Sequence, residues 1–346
     1  MIRLAVVFAA LLLAPPAGAQ APPPPAGPPP TGIVVGSGNF FSPIVADLDR
    51  AIAFYREGLG LEVMGTPTTG DTNAPIRNMF GVPDARLRWT VARQAGLRGG
   101  VEIVEITTIP RTPRLRRPND PGAVTLVAIV RDIGAVSARL LAHGGTVVTK
   151  SGRAVTLPMR GGTARAVTIA DPDGHFVELV QPDSPPAAAP VAAGVLEVRV
   201  RLTVDDAAQA LRLYGDVLGL KPVPVNAFQN DPAVLDMLGV GTGAFRFASA
   251  QVPTTGLTLE FIEYKSTDRK TVRGDIQDPG STRIQLQVRD VDEAIRALTA
   301  RGGRVVSAGG VPVELPGRAG ATTRAAIVRD PNNLFLVLIQ APRQAN

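Results

Sequence analysis

The chain of 346 residues contains no cysteine and only two histidines. The first absence excludes disulfides, thiolate metal sites and cysteine nucleophiles, so stability must come from packed cores. The second leaves little imidazole for the clusters that commonly hold zinc or iron. Aromatic residues make up 4% of the chain, and Trp89 is the single tryptophan. The longest purely apolar run, about eleven residues at the N-terminus, falls short of the roughly 20 needed to span a bilayer.

That run belongs to the stretch MIRLAVVFAALLLAPPAGAQ, with one arginine before it and Ala17-Gly18-Ala19 after it. This is the pattern of a secretory signal. Residues 1–19 are therefore expected to be removed and the mature protein exported, periplasmic or secreted, with no stable membrane span after cleavage. Residues 20–33 are Pro-rich and read as an extended tether, and residues 183–194 form a second, Pro/Ala linker. The net charge of +6 and pI near 10.2 are compatible with nucleic acid, but export argues against that partner. Weak attraction to acidic ligands or to a membrane surface is the milder consequence.

Between and after the linkers, one unit is written twice. DLDRAIAFYREGLGLEV from Asp47 matches DAAQALRLYGDVLGLKP from Asp206, and VRDIGAVSARLLAHGGTVV from Val130 matches VRDVDEAIRALTARGGRVV from Val288. The offset is about 158 residues throughout. Each copy contains a fainter duplication: a β-like run ending in Asp, an amphipathic helix, a Gly, then further strands. Apolar residues at helical spacing (Ala51, Phe54 and Tyr55; Val136, Leu140 and Leu141) carry the helices, which the Asp caps at the start. Each half-copy then reads βαβββ, giving an α+β fold with domains at 34–182 and 195–342.

These stretches, together with GGVEIVEI and DPDGHFVELVQ, resemble the vicinal oxygen chelate superfamily: glyoxalase I, extradiol dioxygenases, methylmalonyl-CoA epimerase, and the fosfomycin- and bleomycin-resistance proteins. The resemblance implies tandem domains of paired βαβββ modules, each pair forming a mixed sheet curled around a cleft. It leaves open whether modules pair within a domain or across a homodimer. In the family's metal enzymes, ligands come from the first strand, from its equivalent on the fifth, and from a Glu on the last; glyoxalase adds a Glu on the fourth.

Carried onto this chain, the last-strand position is Glu178 in the first copy and Val337 in the second, and the fourth-strand positions are Glu102 and Glu260. The first- and fifth-strand positions hold Phe40 and Thr125, then Arg199 and Arg283, and none is histidine. Glu102 and Glu178 are the candidate metal ligands, suited to a hard divalent ion such as Mg or Ca. Glu178 is also the candidate catalytic base. Along one strand Arg199, Arg201 and Thr203 share a face, and along another Arg283, Gln285 and Gln287 do, opposite apolar neighbours. Arg199 and Arg283 either fork a carboxylate or phosphate or pair with glutamates across the sheet. Phe40, Trp89 and Thr125 are the remaining ligand-binding candidates. His175 reads as a turn residue, and the basic loops at 111–118 and 265–275 as solvated linkers near the cleft mouth.

Three functions fit: a binder of a small, possibly anionic organic molecule without a tightly held metal; a divalent-metal lyase, isomerase or dioxygenase using Glu178; or a protein-interaction module.

Overall fold

The computed structural model describes residues 32–69, 73–159, 162–184, 194–316 and 322–340. The expected leader, nearly all of the Pro-rich tether and most of the Pro/Ala linker lie outside the described residues. Among the described residues no helix is long and apolar enough to cross a membrane.

Four βαβββ modules are present, at 34–107, 124–182, 195–265 and 282–340. Asp47, Asp132, Asp206 and Asp290 each cap the module's first helix, accepting hydrogen bonds from free amides of the first turn; such a cap is worth about 1 kcal/mol. In modules one and three the helix (Leu48–Ala53, Ala207–Leu211) runs on as π-helical turns over Phe54–Gly58 and Arg212–Val217. Val136 and Leu140 are buried as the spacing requires, whereas Leu141 is 43% exposed. It sits one position beyond the buried stripe of a helix that covers its sheet with one face only.

The modules assemble into two mixed sheets, but the sheets do not follow the repeats. The eleven-stranded sheet joins module one to module four, and the nine-stranded sheet joins module two to module three. In the second, Val124–Val130 lies antiparallel to Val195–Val204, with Leu126 opposite Val200 and Thr125 opposite Arg201. In the first, Ser42–Val45 meets Thr282–Val288 through the pairs Pro43–Thr282 and Ser42–Arg283, and Val34–Ser37 adds further pairs along the same strand. Both sheets are thus completed within one chain, each from one module of each repeat.

One apolar core draws on all four modules, including Phe54, Leu140, Leu202, Tyr214 and Leu336. It packs the helices against the outer faces of both sheets. Two smaller cores cover the inner faces, where the short helices Ala74–Met79 and Pro232–Met237 lie. The basic loops after modules one and three do not stand as solvated linkers. They clasp each other: Asp278 accepts from the Thr112 amide at 2.8 Å and from Arg114 Nε at 3.0 Å. Asp120 in turn accepts from the Lys270 amide at 2.7 Å.

Candidate functional site

Because the sheets cross the repeats, the residues equivalent to family ligands fall into two separate clefts. Thr125, Glu178, Arg199, Arg201 and Glu260 share the inner face of the nine-stranded sheet. Ser42, Glu102, Trp89, Arg283 and Val337 belong to the eleven-stranded sheet. The expected joint pair of Glu102 with Glu178 is therefore corrected: the two carboxylates belong to different sheets. For the same reason Arg199 and Arg283 do not fork one anion.

The nine-stranded cleft is closed by ion pairs. Arg201 lies beside Glu260 in the ladder and gives it Nε at 2.9 Å. Its guanidinium then crosses the small Thr125 on the neighbouring strand to reach Glu178, with Nη2 to Oε1 at 3.1 Å and Nη1 to Oε2. Arg199 bonds Glu197 at 2.7 Å and meets Glu260 at 3.5 Å. Arg199, Arg201, Glu178 and Glu260 are all nearly inaccessible. Burial opposes the charge on Arg201, but the two carboxylates overcome it and the guanidinium holds its proton more tightly than a free one. Burial pushes the Glu178 carboxyl up, against the pull of Arg201. Phe247 stacks on Arg201, with 5.2 Å from guanidinium to ring centre. Val234, Leu235, Met237 and Leu238 fill the remaining apolar surface of this face.

This donor set does not fit a divalent metal. The cationic Arg201 already occupies the point where the Glu178 and Glu260 carboxylates converge, and it would repel a second cation at short range. Among the described residues no group of three or more His, Asp or Glu is close enough to hold an ion.

The eleven-stranded cleft differs at two positions that decide its volume. Ser42 stands where the other cleft has Arg201, and Val337 where it has Glu178. The two shorter side chains leave a cavity of about 160 Å³ lined by Phe80, Trp89, Glu102, Arg283, Gln285 and Val337, among others. Arg283 reaches over Ser42 to Glu102, with Nη2 to Oε2 at 3.1 Å, and Gln285 Nε2 donates to the same oxygen at 2.8 Å. Arg283 is 1% exposed and its guanidinium packs 4.4 Å from the centre of the Phe80 ring. Its Nε has no hydrogen-bond partner, and neither has the buried Ser42 Oγ. Burial lowers the pKa of Arg283, partly offset by Glu102.

Trp89 lines this cavity half-buried, while Phe40 is 2% exposed and belongs to the central core. Sequence reasoning missed Arg201 as the residue that engages Glu178. Counting back to the family's ligand position selected Arg199, two residues away on the same face. His175 is also more than a turn residue. It is buried, with Nδ1 3.1 Å from Asp171 Oδ2 and Nε2 3.2 Å from the Ser281 carbonyl just before module four. Tyr55 donates to the same Asp171 at 3.1 Å. Burial opposes the imidazolium, but Asp171 prevails and raises the His175 pKa.

Two inner faces on paired βαβββ modules, one closed by buried ion pairs and one holding a cavity, define the class of fold. Residues 39–179 and 198–338 both match the Glyoxalase/Bleomycin resistance protein/Dioxygenase superfamily, and the chain belongs to it. Glyoxalase I from Zea mays is similar in structure, with a TM-score of 0.55 and 18% identity over 87% of this chain and 92% of that one. A putative dioxygenase from Bacillus subtilis subsp. subtilis str. 168 has a TM-score of 0.50 and 12% identity, covering 90% of this chain and 87% of its own. At these identities the likeness establishes the fold alone. No curated protein matches the sequence.

Proposed function

We propose that the protein is an exported binder of a compact organic molecule, held in the cleft between modules one and four. The observation that carries this reading is the buried Arg283, which spends one nitrogen on Glu102 and leaves Nε unpartnered beside a cavity. A buried polar group without a partner costs on the order of 1–3 kcal/mol, which a ligand's acceptor oxygen recovers. The volume of about 160 Å³ is close to that of an engineered cavity that takes benzene, about 150 Å³. The ligand is accordingly an apolar body of that size carrying one acceptor oxygen, a carboxylate or carbonyl, with the Phe80 and Trp89 rings against its apolar part. The leader sequence supports export, and the closed cleft around Glu178 supports a role without a tightly held metal.

A thermal-shift series with benzoate and acetophenone on wild type and Arg283→Met tests it. A ligand bound to the native state raises the melting temperature by mass action. The expected result is a shift with at least one of the pair, lost in the variant. Equal shifts in both proteins, or none in either, would remove the cleft from consideration.

A further inference from the structure

We propose that the chain carries a second, separate site, for a phosphate group, in the cavity of about 400 Å³ walled by Arg304 and Arg329. The cavity lies where the loop after helix Ala74–Met79, the loop before strand Thr282–Val288, and strands Arg304–Val305 and Thr322–Arg329 come together. It shares only the Phe80 wall with the cleft of Arg283, and the proposal stands independently of the ligand there.

Arg304 and Arg329 are direct partners in the antiparallel ladder, so their side chains leave the same face side by side. Like charges directly opposite on a sheet are destabilising, and the fold does not require them. In the other sheet the same ladder position pairs Thr146 with Ala170. The charge is therefore an addition to the scaffold. Arg329 gives Nη2 to the Gly274 carbonyl and stacks over Phe335 at 4.7 Å, while its Nε is buried without a partner. Arg116, whose own Nε is buried and unpartnered, lies behind it.

The crowding is visible in the ionisation. Burial lowers the pKa of Arg329, Arg304 and Arg273 lower it further, and Asp275 and Asp278 offset only part of this. Arg116 falls to about 10 through burial, then through Arg329 and Arg114. The acidic lining residues, Asp84 and Asp275, are exposed, and Asp275 approaches Arg329 only to 3.9 Å with 68% of its side chain in solvent. Solvent and salt screen such carboxylates, while the partly buried Arg329 and the exposed Arg304 beside it present paired donors to a tetrahedral oxyanion. Gln277 adds an amide to the lining. A dianion at this point relieves the arginine repulsion.

The test is calorimetric titration of the full chain with inorganic phosphate and with glycerol phosphate at fixed ionic strength. The proteins compared are wild type, Arg304→Thr, Arg329→Ala and Arg283→Met. Wild type should bind saturably, both ladder variants about tenfold or more weakly, and Arg283→Met like wild type. Arg304→Thr should melt no lower than wild type, because it removes the like-charge pair and threonine already holds that place in the other sheet; it remains informative if Arg329→Ala disturbs the loop at Gly274. Tighter binding of glycerol phosphate assigns the site to an organic ester, and equal affinity to the phosphate group alone. No binding of either compound, wild-type affinity in both ladder variants, or loss only on Arg283→Met would overturn the proposal.

Discussion

Replacing Arg201 by methionine should be among the most damaging single changes in the chain, although it swaps one long buried side chain for another. Arg201 makes three charge-assisted bonds, two to Glu178 and one to Glu260, and all three residues are at most 3% exposed. Without it Glu178 loses its counter-ion and Glu260 keeps only the longer contact to Arg199, 3.5 Å. Breaking one partner of a buried pair typically costs about 3–5 kcal/mol, a large part of a domain stability of about 5–15 kcal/mol. The pH dependence has a definite sign. Burial already raises the Glu178 pKa against the pull of Arg201, so removing Arg201 raises it further. The raised group contributes stability at low pH that is lost as pH rises through its folded value, so the variant should gain on wild type on acidification. Adding Glu178→Leu to Arg201→Met should recover much of the loss, since apolar replacement of a buried pair is often neutral. Denaturant unfolding of wild type, single and double variants near neutral and at acidic pH reads all of this. A single-variant cost below about 1 kcal/mol, or a double variant no better than the single, would refute the closed-network account of this cleft.

Asp330 gives a second handle of the same sign. Burial raises its pKa from 3.8 to about 6, against hydrogen bonds from Leu334, Asn332 and Tyr214, so its contribution to stability is present below the unfolded value and falls as pH rises toward 6. Wild type should therefore lose about 2–3 kcal/mol relative to Asp330→Asn across that window, and parallel stability curves would contradict it. The crossed sheets make a topological prediction as well. A fragment of residues 34–182 keeps modules one and two but neither sheet partner, so sedimentation should find it unfolded or self-associated, and a stable compact monomer would contradict the assignment.

Much of the architecture was legible because it is written in local periodicity. The Asp caps, the alternation of Arg199, Arg201 and Thr203 with Val200 and Leu202, and the repeat offset each leave a mark in the sequence. Module pairing leaves none, because the partner strands are brought together by packing across the central core, to which all four modules contribute. That choice separates Glu102 from Glu178 and Arg199 from Arg283. The open cleft was half legible, since Arg283, Trp89 and Glu102 were all candidates. What the pattern could not reveal is that two truncations, Ser42 for Arg201 and Val337 for Glu178, come together only when modules one and four share a sheet. The long-range contact of His175 was illegible for a similar reason, because its Ser281 partner lies 106 positions away.

The single tryptophan lines the open cleft and none other stands near the closed one, so its emission reports on one cavity. The most direct measurement is a fluorescence titration of Trp89 with benzoate and acetophenone in wild type and in Arg283→Met. The account predicts a saturable change in wild type and its loss in the variant. An emission that neither compound alters, or that changes identically in both proteins, would contradict a ligand held by Arg283 between modules one and four.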